Sequence, residues 1–172
     1  MKKYAKIAFG GVFTALCVLF LFIGSAVSTL DLTSAALGGL IIVAAVTEIG
    51  PRYSFGVYAA ASAISLLILP AKLPAVYFAL FSGYYPVAKI YLNRIKPHWL
   101  SYTARFALFN TALAASELAA VFLLNIESEP AFIIVLTAAA LNVVFFVYDK
   151  AIEKAAVFYG LKIRKHIFKG RR

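Results

Sequence analysis

One cysteine, seven acidic residues and a charged fraction of only 14% set the first limits on this 172-residue chain. Cys17 alone can neither close an internal disulfide nor build a cysteine metal cluster, so it reads as a small packing residue inside an apolar run. A Walker P-loop, a Gly-x-Ser-x-Gly elbow, a His-Glu-x-x-His pair and paired cysteines are all missing. The two histidines, His98 and His166, both stand in basic segments, where a solvated or lipid-facing ring is expected rather than a metal ligand or a catalytic base. The chain therefore reads as a non-enzyme with no cofactor and no metal. Lacking machinery for ATP, it needs a partner or an ion gradient for any energised work.

What the chain has is apolar surface. Hydrophobic residues make up 63% of it, against about half in a soluble domain, where about a quarter are charged. A bilayer is the natural solvent for such a composition. The expected fold class is all-α, a polytopic membrane protein with about six transmembrane helices of about 20 residues each and a basic amphipathic C-terminal helix. Residues 1–148 would form the transmembrane domain and 149–172 a cytoplasmic basic tail.

The net charge of +10 does not point to nucleic acid, because the lysines and arginines fall in membrane-flanking segments of one side. That asymmetry predicts a bacterial cytoplasmic membrane protein with both termini cytoplasmic and the lipid bilayer as its partner.

The first span reads Ile7 to Val27, behind Lys2, Lys3 and Lys6. It exceeds the roughly 7–15 residues of a signal-peptide core, so retention rather than cleavage is expected. Thr33–Gly50 is the second span, stopped by Gly50-Pro51, and Tyr53–Leu69 the third. Pro70 and Pro74 then enforce a tight outer turn. Leu73–Leu92 is the fourth span, expected to kink at Pro86 and still cross. Trp99–Leu124 follows, anchored by Trp99 and Tyr102, then an acidic outer loop with Glu127 and Glu129, and a last span from Ala131 to about Tyr148. Beyond it Ile152, Ala156, Tyr159, Ile163 and Ile167 recur on one helical face, with Lys150, Lys154, Lys162, Lys165 and Lys169 on another. This pattern predicts a tail lying on the cytoplasmic surface.

Candidate functional residues are the polar ones forced into hydrocarbon. Glu117 is the sharpest, since a carboxylate facing lipid costs about 2.5–3.5 kcal/mol or more. Asn110 lies two turns below on the same face, and Asn142 on the last span can reach the same interior. Either they line a polar cavity open to the outside, or they hold helices together by hydrogen bonds worth about 0.6–2 kcal/mol. Tyr77, with Lys72 nearby, would be one wall of such a cavity or part of an aromatic core with Phe78, Phe81, Tyr84 and Tyr85. Glu48 is expected to pair with Arg52 or Arg105, and Lys89 and Arg105 to snorkel to the interface. Small residues four apart at Gly11 and Ala15, Ala35 and Gly39, and Ala59 and Ala63 allow close helix approach.

The six-span plan, the length and the opening Gly10-Gly11-Val12-Phe13-Thr14-Ala15-Leu16 resemble the substrate-binding S components of energy-coupling-factor transporters. The stretch from Phe81 to Lys89 is also similar to uncharacterised membrane proteins of Gram-positive bacteria. The first resemblance implies capture of a small vitamin-like substrate near the outer face, with Glu117, Asn110, Asn142 and Tyr77 as substrate-binding candidates. It further implies that Gly11 and Ala15 dock a transmembrane coupling subunit driven by ATPases. The long basic tail departs from that family's pattern. Two alternatives stay open: a membrane scaffold or assembly subunit without a ligand, and a small proton-coupled carrier titrating at Glu117.

Overall fold

The computed structural model describes residues 3–124 and 130–163, and every regular element among them is helical. They are α1 (Lys3–Ser25), α2 (Asp31–Ile49), α3 (Pro51–Ile68), α4 (Leu73–Tyr77), α5 (Tyr85–Leu92), α6 (His98–Leu124) and α7 (Ala131–Phe158), with one-turn wide π segments at Phe78–Ser82 and Tyr159–Ile163. Four helices, α1, α2, α6 and α7, are long and apolar enough to cross a membrane. At about 1.5 Å per residue, the 19 residues of α2 extend about 28 Å, close to the thickness of bilayer hydrocarbon. Glu127, Glu129 and His166 lie outside the described residues.

The α2–α3 hairpin turns on one residue. Gly50 holds φ 88° and ψ 164°, a region open essentially to glycine alone, while its N–H donates to the Val46 carbonyl and Pro51 starts α3. α3 itself is 18 residues long but opens on Pro51-Arg52 and buries Ser54 and Ser65, so it is less apolar than the four.

The expected fourth span is broken further up than Pro86. Its five-residue α4 runs into the π segment, where the Gly83 N–H reaches back to the Phe78 carbonyl at 2.9 Å. A regular α turn would have used Ala79; that carbonyl instead accepts the Tyr58 hydroxyl at 2.7 Å. A β-carbon on Gly83 would come within 2.9 Å of the Phe78 ring, so the bend depends on glycine. Pro86, lacking an N–H, then sits in the first turn of α5, where the missing donor costs nothing.

Packing centres on α2. Phe13, Cys17 and Leu21 of α1, Ile42 and Ile49 of α2, and Val57 of α3 form one buried cluster with Phe78. Lipid gives no hydrophobic drive between helices, so close fit must supply the cohesion. Gly38 lies under the Phe78 ring, and Gly39 backs onto the Tyr148 hydroxyl and the Ser82 backbone, leaving no room for a side chain. Ser82 donates to the Ala35 carbonyl at 2.7 Å in the same contact. Thus the Ala35/Gly39 pair packs inside the chain, whereas Gly11, Ala15, Ala59 and Ala63 face outward.

α6 and α7 meet where α6 begins and α7 ends, and diverge at the other end, where Ala131–Thr137 are all exposed. α7 continues without a break through residue 149, the expected start of the tail. Asp149 and Ile152 are buried against the bundle, so this first part of the tail is core rather than surface helix. The expected tail pattern from Lys162 onward lies outside the described side chains.

Candidate functional site

Divergence of α6 and α7 opens a cleft of about 800 Å³, closed on its other sides by the start of α2 and by the Tyr77–Ser82 segment. Tyr77, Asn110 and Glu117 are among its lining residues. Asn110 and Glu117 share one face of α6 because seven residues make nearly two turns. Its floor is aromatic: Phe109 stacks on Phe145 with ring centroids 4.5 Å apart, and Phe81 meets Phe109 edge-on at 5.1 Å. Glu117 is exposed in the cleft and has no hydrogen-bond or ion-pair partner among the described residues.

Asn142 is not part of the lining. Its amide and that of Asn110 form a reciprocal pair, Nδ2 to Oδ1 at 2.9 and 3.1 Å, and each Nδ2 also donates to the carbonyl four residues back, at 2.8 Å. Both donors of both amides are thereby used, which makes the pair a clasp between α6 and α7. Asn110 is left with spare acceptor capacity on Oδ1 alone. Lys72 donates to the Leu67 carbonyl at 3.3 Å and takes no part in the lining either.

At the opposite end lies a polar centre the sequence did not announce. Asp149 accepts the Tyr85 hydroxyl and the Lys89 ammonium (2.5 Å) on Oδ1, and Arg105 Nη1 (3.1 Å) on Oδ2. Lys89 also reaches the Asp149 carbonyl at 2.5 Å and Glu153 at 3.1 Å. Arg105 donates its second nitrogen to Asn93 and, at 3.0 Å, to Ser101, whose hydroxyl in turn donates to the Leu92 carbonyl at 2.8 Å. Lys89 and Asp149 are 3% exposed and Arg105 is 6% exposed. Three helices, α5, α6 and α7, are thus tied by a network in which Lys89 and Arg105 share Asp149 and Glu153, with Lys150 at its rim 3.7 Å from Glu153.

That network corrects two expectations. Lys89 and Arg105 do not snorkel, because Asp149 offers both a carboxylate in the interior and removes the reason to leave it. Glu48 does not pair with Arg105, whose two terminal nitrogens are directed to Asp149, Asn93 and Ser101, and Glu48 Oε1 is shielded without a partner among the described residues. One signal for Asp149 was present: two cations inside apolar segments call for an anion, and Asp149 is the acid at matching depth on the last span. Periodicity could not reveal it, because a charged residue at a span end reads equally well as the start of a tail.

The remaining sequence candidates, Gly11 and Ala15, line a second, shallower groove between α1 and α3 together with Gly10, Gly56 and Ala60. A β-carbon on Gly11 would meet nothing within 4 Å. Cys17 is buried with its thiol against the Gly38 carbonyl, 3.7 Å away, as a packing residue. Among the described residues no three His, Cys, Asp or Glu side chains converge on one point. No protein-family model, no curated protein and no solved structure matches the chain.

Proposed function

We propose that this chain is the substrate-capturing membrane subunit of a multicomponent importer, similar to the S components of energy-coupling-factor transporters. The observation that carries the reading is the cleft between α6 and α7, concave, apolar and furnished with a few polar groups, which is the usual make-up of a small-molecule site. It opens at the end opposite the buried ion network, which lies beside the basic segments. With α3 and the broken α4–α5 segment each counted as a crossing, the chain spans the membrane about six times. Both termini and most of the positive charge then face the cytoplasm, and the cleft faces outward.

The chain performs no bond chemistry in this reading. It binds a small micronutrient outside, and subunits that hydrolyse ATP drive its release inside. The outward small-residue face of α1 around Gly11 and Ala15 is the docking surface for the coupling subunit, which suits its open groove.

Native mass spectrometry of the protein purified in mild detergent tests this reading. A bound small metabolite, with or without attached ATPase subunits, is the expected result. Phospholipid alone in the cleft, or an empty protein in a stable complex with a subunit that is no ATPase, would overturn it. The Asn110–Asn142 clasp favours the second reading, an assembly subunit, because it spends one predicted ligand contact wholly on holding helices. Gly11→Leu separates the two: it leaves folding unchanged but abolishes copurification of a coupling subunit.

A further inference from the structure

The charge distribution around the cleft identifies the chemical class of its ligand, an inference that rests on reading the cleft as a capture site. Among the described residues lining it, Glu117 is the one carboxylate, and no lysine, arginine or histidine is present. Tyr77 lines the cleft with Glu117, and Asp31, the first residue of α2, immediately precedes the lining residue Leu32. Asp31 Oδ1 is shielded from solvent and has no hydrogen-bond partner among the described residues, and Glu117 is exposed in the cleft. Among the described residues neither carboxylate forms an ion pair. Lys89, Arg105 and Lys150 serve Asp149 and Glu153 at the other end, and Lys72 is turned to the Leu67 carbonyl.

Two carboxylates flanking an apolar cleft without a protein cation leave a place for a cation brought from outside. The apolar wall argues against a hydrated inorganic ion, which would lose its water without enough oxygen ligands to replace it. The aromatic rings of Tyr77, Phe81 and Phe109 in the lining instead suit a flat, delocalised positive charge, held by carboxylate attraction and aromatic contact. We infer that the cleft selects a flat organic monocation. Its charged end sits between Glu117, Asp31 and Tyr77, and its apolar body lies on Phe81 and Phe109.

The test uses the full chain in phosphatidylcholine nanodiscs, with protein-free nanodiscs correcting for partition into lipid. Three bicyclic probes of similar shape, 1-methylquinolinium, 2-naphthol and 2-naphthoate, are titrated calorimetrically. The cation should bind at least about tenfold more tightly than the other two. Glu117→Gln should weaken the cation about tenfold and leave naphthol unchanged; Asp31→Asn, on a separate helix, should act in the same direction. Equal binding of all three, tighter binding of naphthoate, or a Glu117→Gln variant that holds the cation as well as the parent would overturn the inference. Binding of naphthol or naphthoate alone would sink the cation while preserving the capture site. Silence from all three also sinks it, and the capture reading is then decided by the copurified ligand.

Discussion

Asp149→Asn is the substitution with the largest effect expected on folding. The carboxylate serves three donors at once, Tyr85, Lys89 and Arg105. Asparagine keeps the volume and one carbonyl oxygen but removes the charge and the second acceptor. Lys89 and Arg105, both buried, are then left with Glu153, which lies 3.1 and 3.6 Å away and is 40% exposed at its side chain. Removing one partner of a buried ion pair costs about 3–5 kcal/mol, mostly because the other charge stays buried and uncompensated. Since Glu153 retains part of the attraction, the lower end, about 3 kcal/mol, is expected.

SDS-driven unfolding of the detergent-solubilised protein, followed by far-UV circular dichroism, reads that loss. The companion variant Lys89→Met/Asp149→Asn removes one cation along with the anion. It leaves Arg105 with Asn93, Ser101 and Glu153, so the double variant should be less damaged than the sum of its parts by about 1 kcal/mol or more. If Asp149→Asn unfolds within about 1 kcal/mol of the parent, or the two substitutions simply add, the network is not the clamp described above.

Three further outcomes follow from other contacts. Asn142→Ala should cost about 0.6–2 kcal/mol in the same unfolding assay, because it opens the amide clasp while Asn110 keeps its bond to Phe106. Gly50→Ala should cost about 1–3 kcal/mol by forcing a side chain into the φ 88° turn between α2 and α3. Gly39→Leu should be worse tolerated than Gly11→Leu, since only the first meets the Tyr148 hydroxyl and the Ser82 backbone; yield of monodisperse protein on gel filtration ranks the pair.

Hydropathy made the long helices legible. Long, predominantly apolar runs mark α1, α2, α6 and α7, and Gly50-Pro51 marks the hairpin between α2 and α3, because each is a local property of the chain. The bend between α4 and α5 was half legible. Pro86 announces a break, but the break begins at the Phe78–Ser82 segment, where the outcome depends on Tyr58 of another helix accepting the role of hydrogen-bond donor to Ala79. The small-residue pairs were legible as close-packing signals but not as to partner. Ala35 and Gly39 are buried against helices of this chain, and Gly11 and Ala15 are exposed, although their spacing is the same.

Charged residues show why the rest stayed hidden. Glu117 and Asp149 pose one question in the sequence: each is a carboxylate on an apolar helix, and each must find protein, water or a cation. Their answers differ because of residues distant along the chain, such as Lys89, 60 positions from Asp149, and Arg105, 44 positions from it. Asp149 is met by Lys89 from α5 and Arg105 from α6, and it becomes the knot that holds the basic end shut. Glu117 sits where α6 and α7 have separated, in a lining that includes Tyr77 and, among the described residues, no lysine or arginine. The same divergence that deprives Glu117 of a partner creates the cleft. A carboxylate with no partner in a space of that size is what distinguishes a site from a clamp, and the contrast exists only once the helices are assembled.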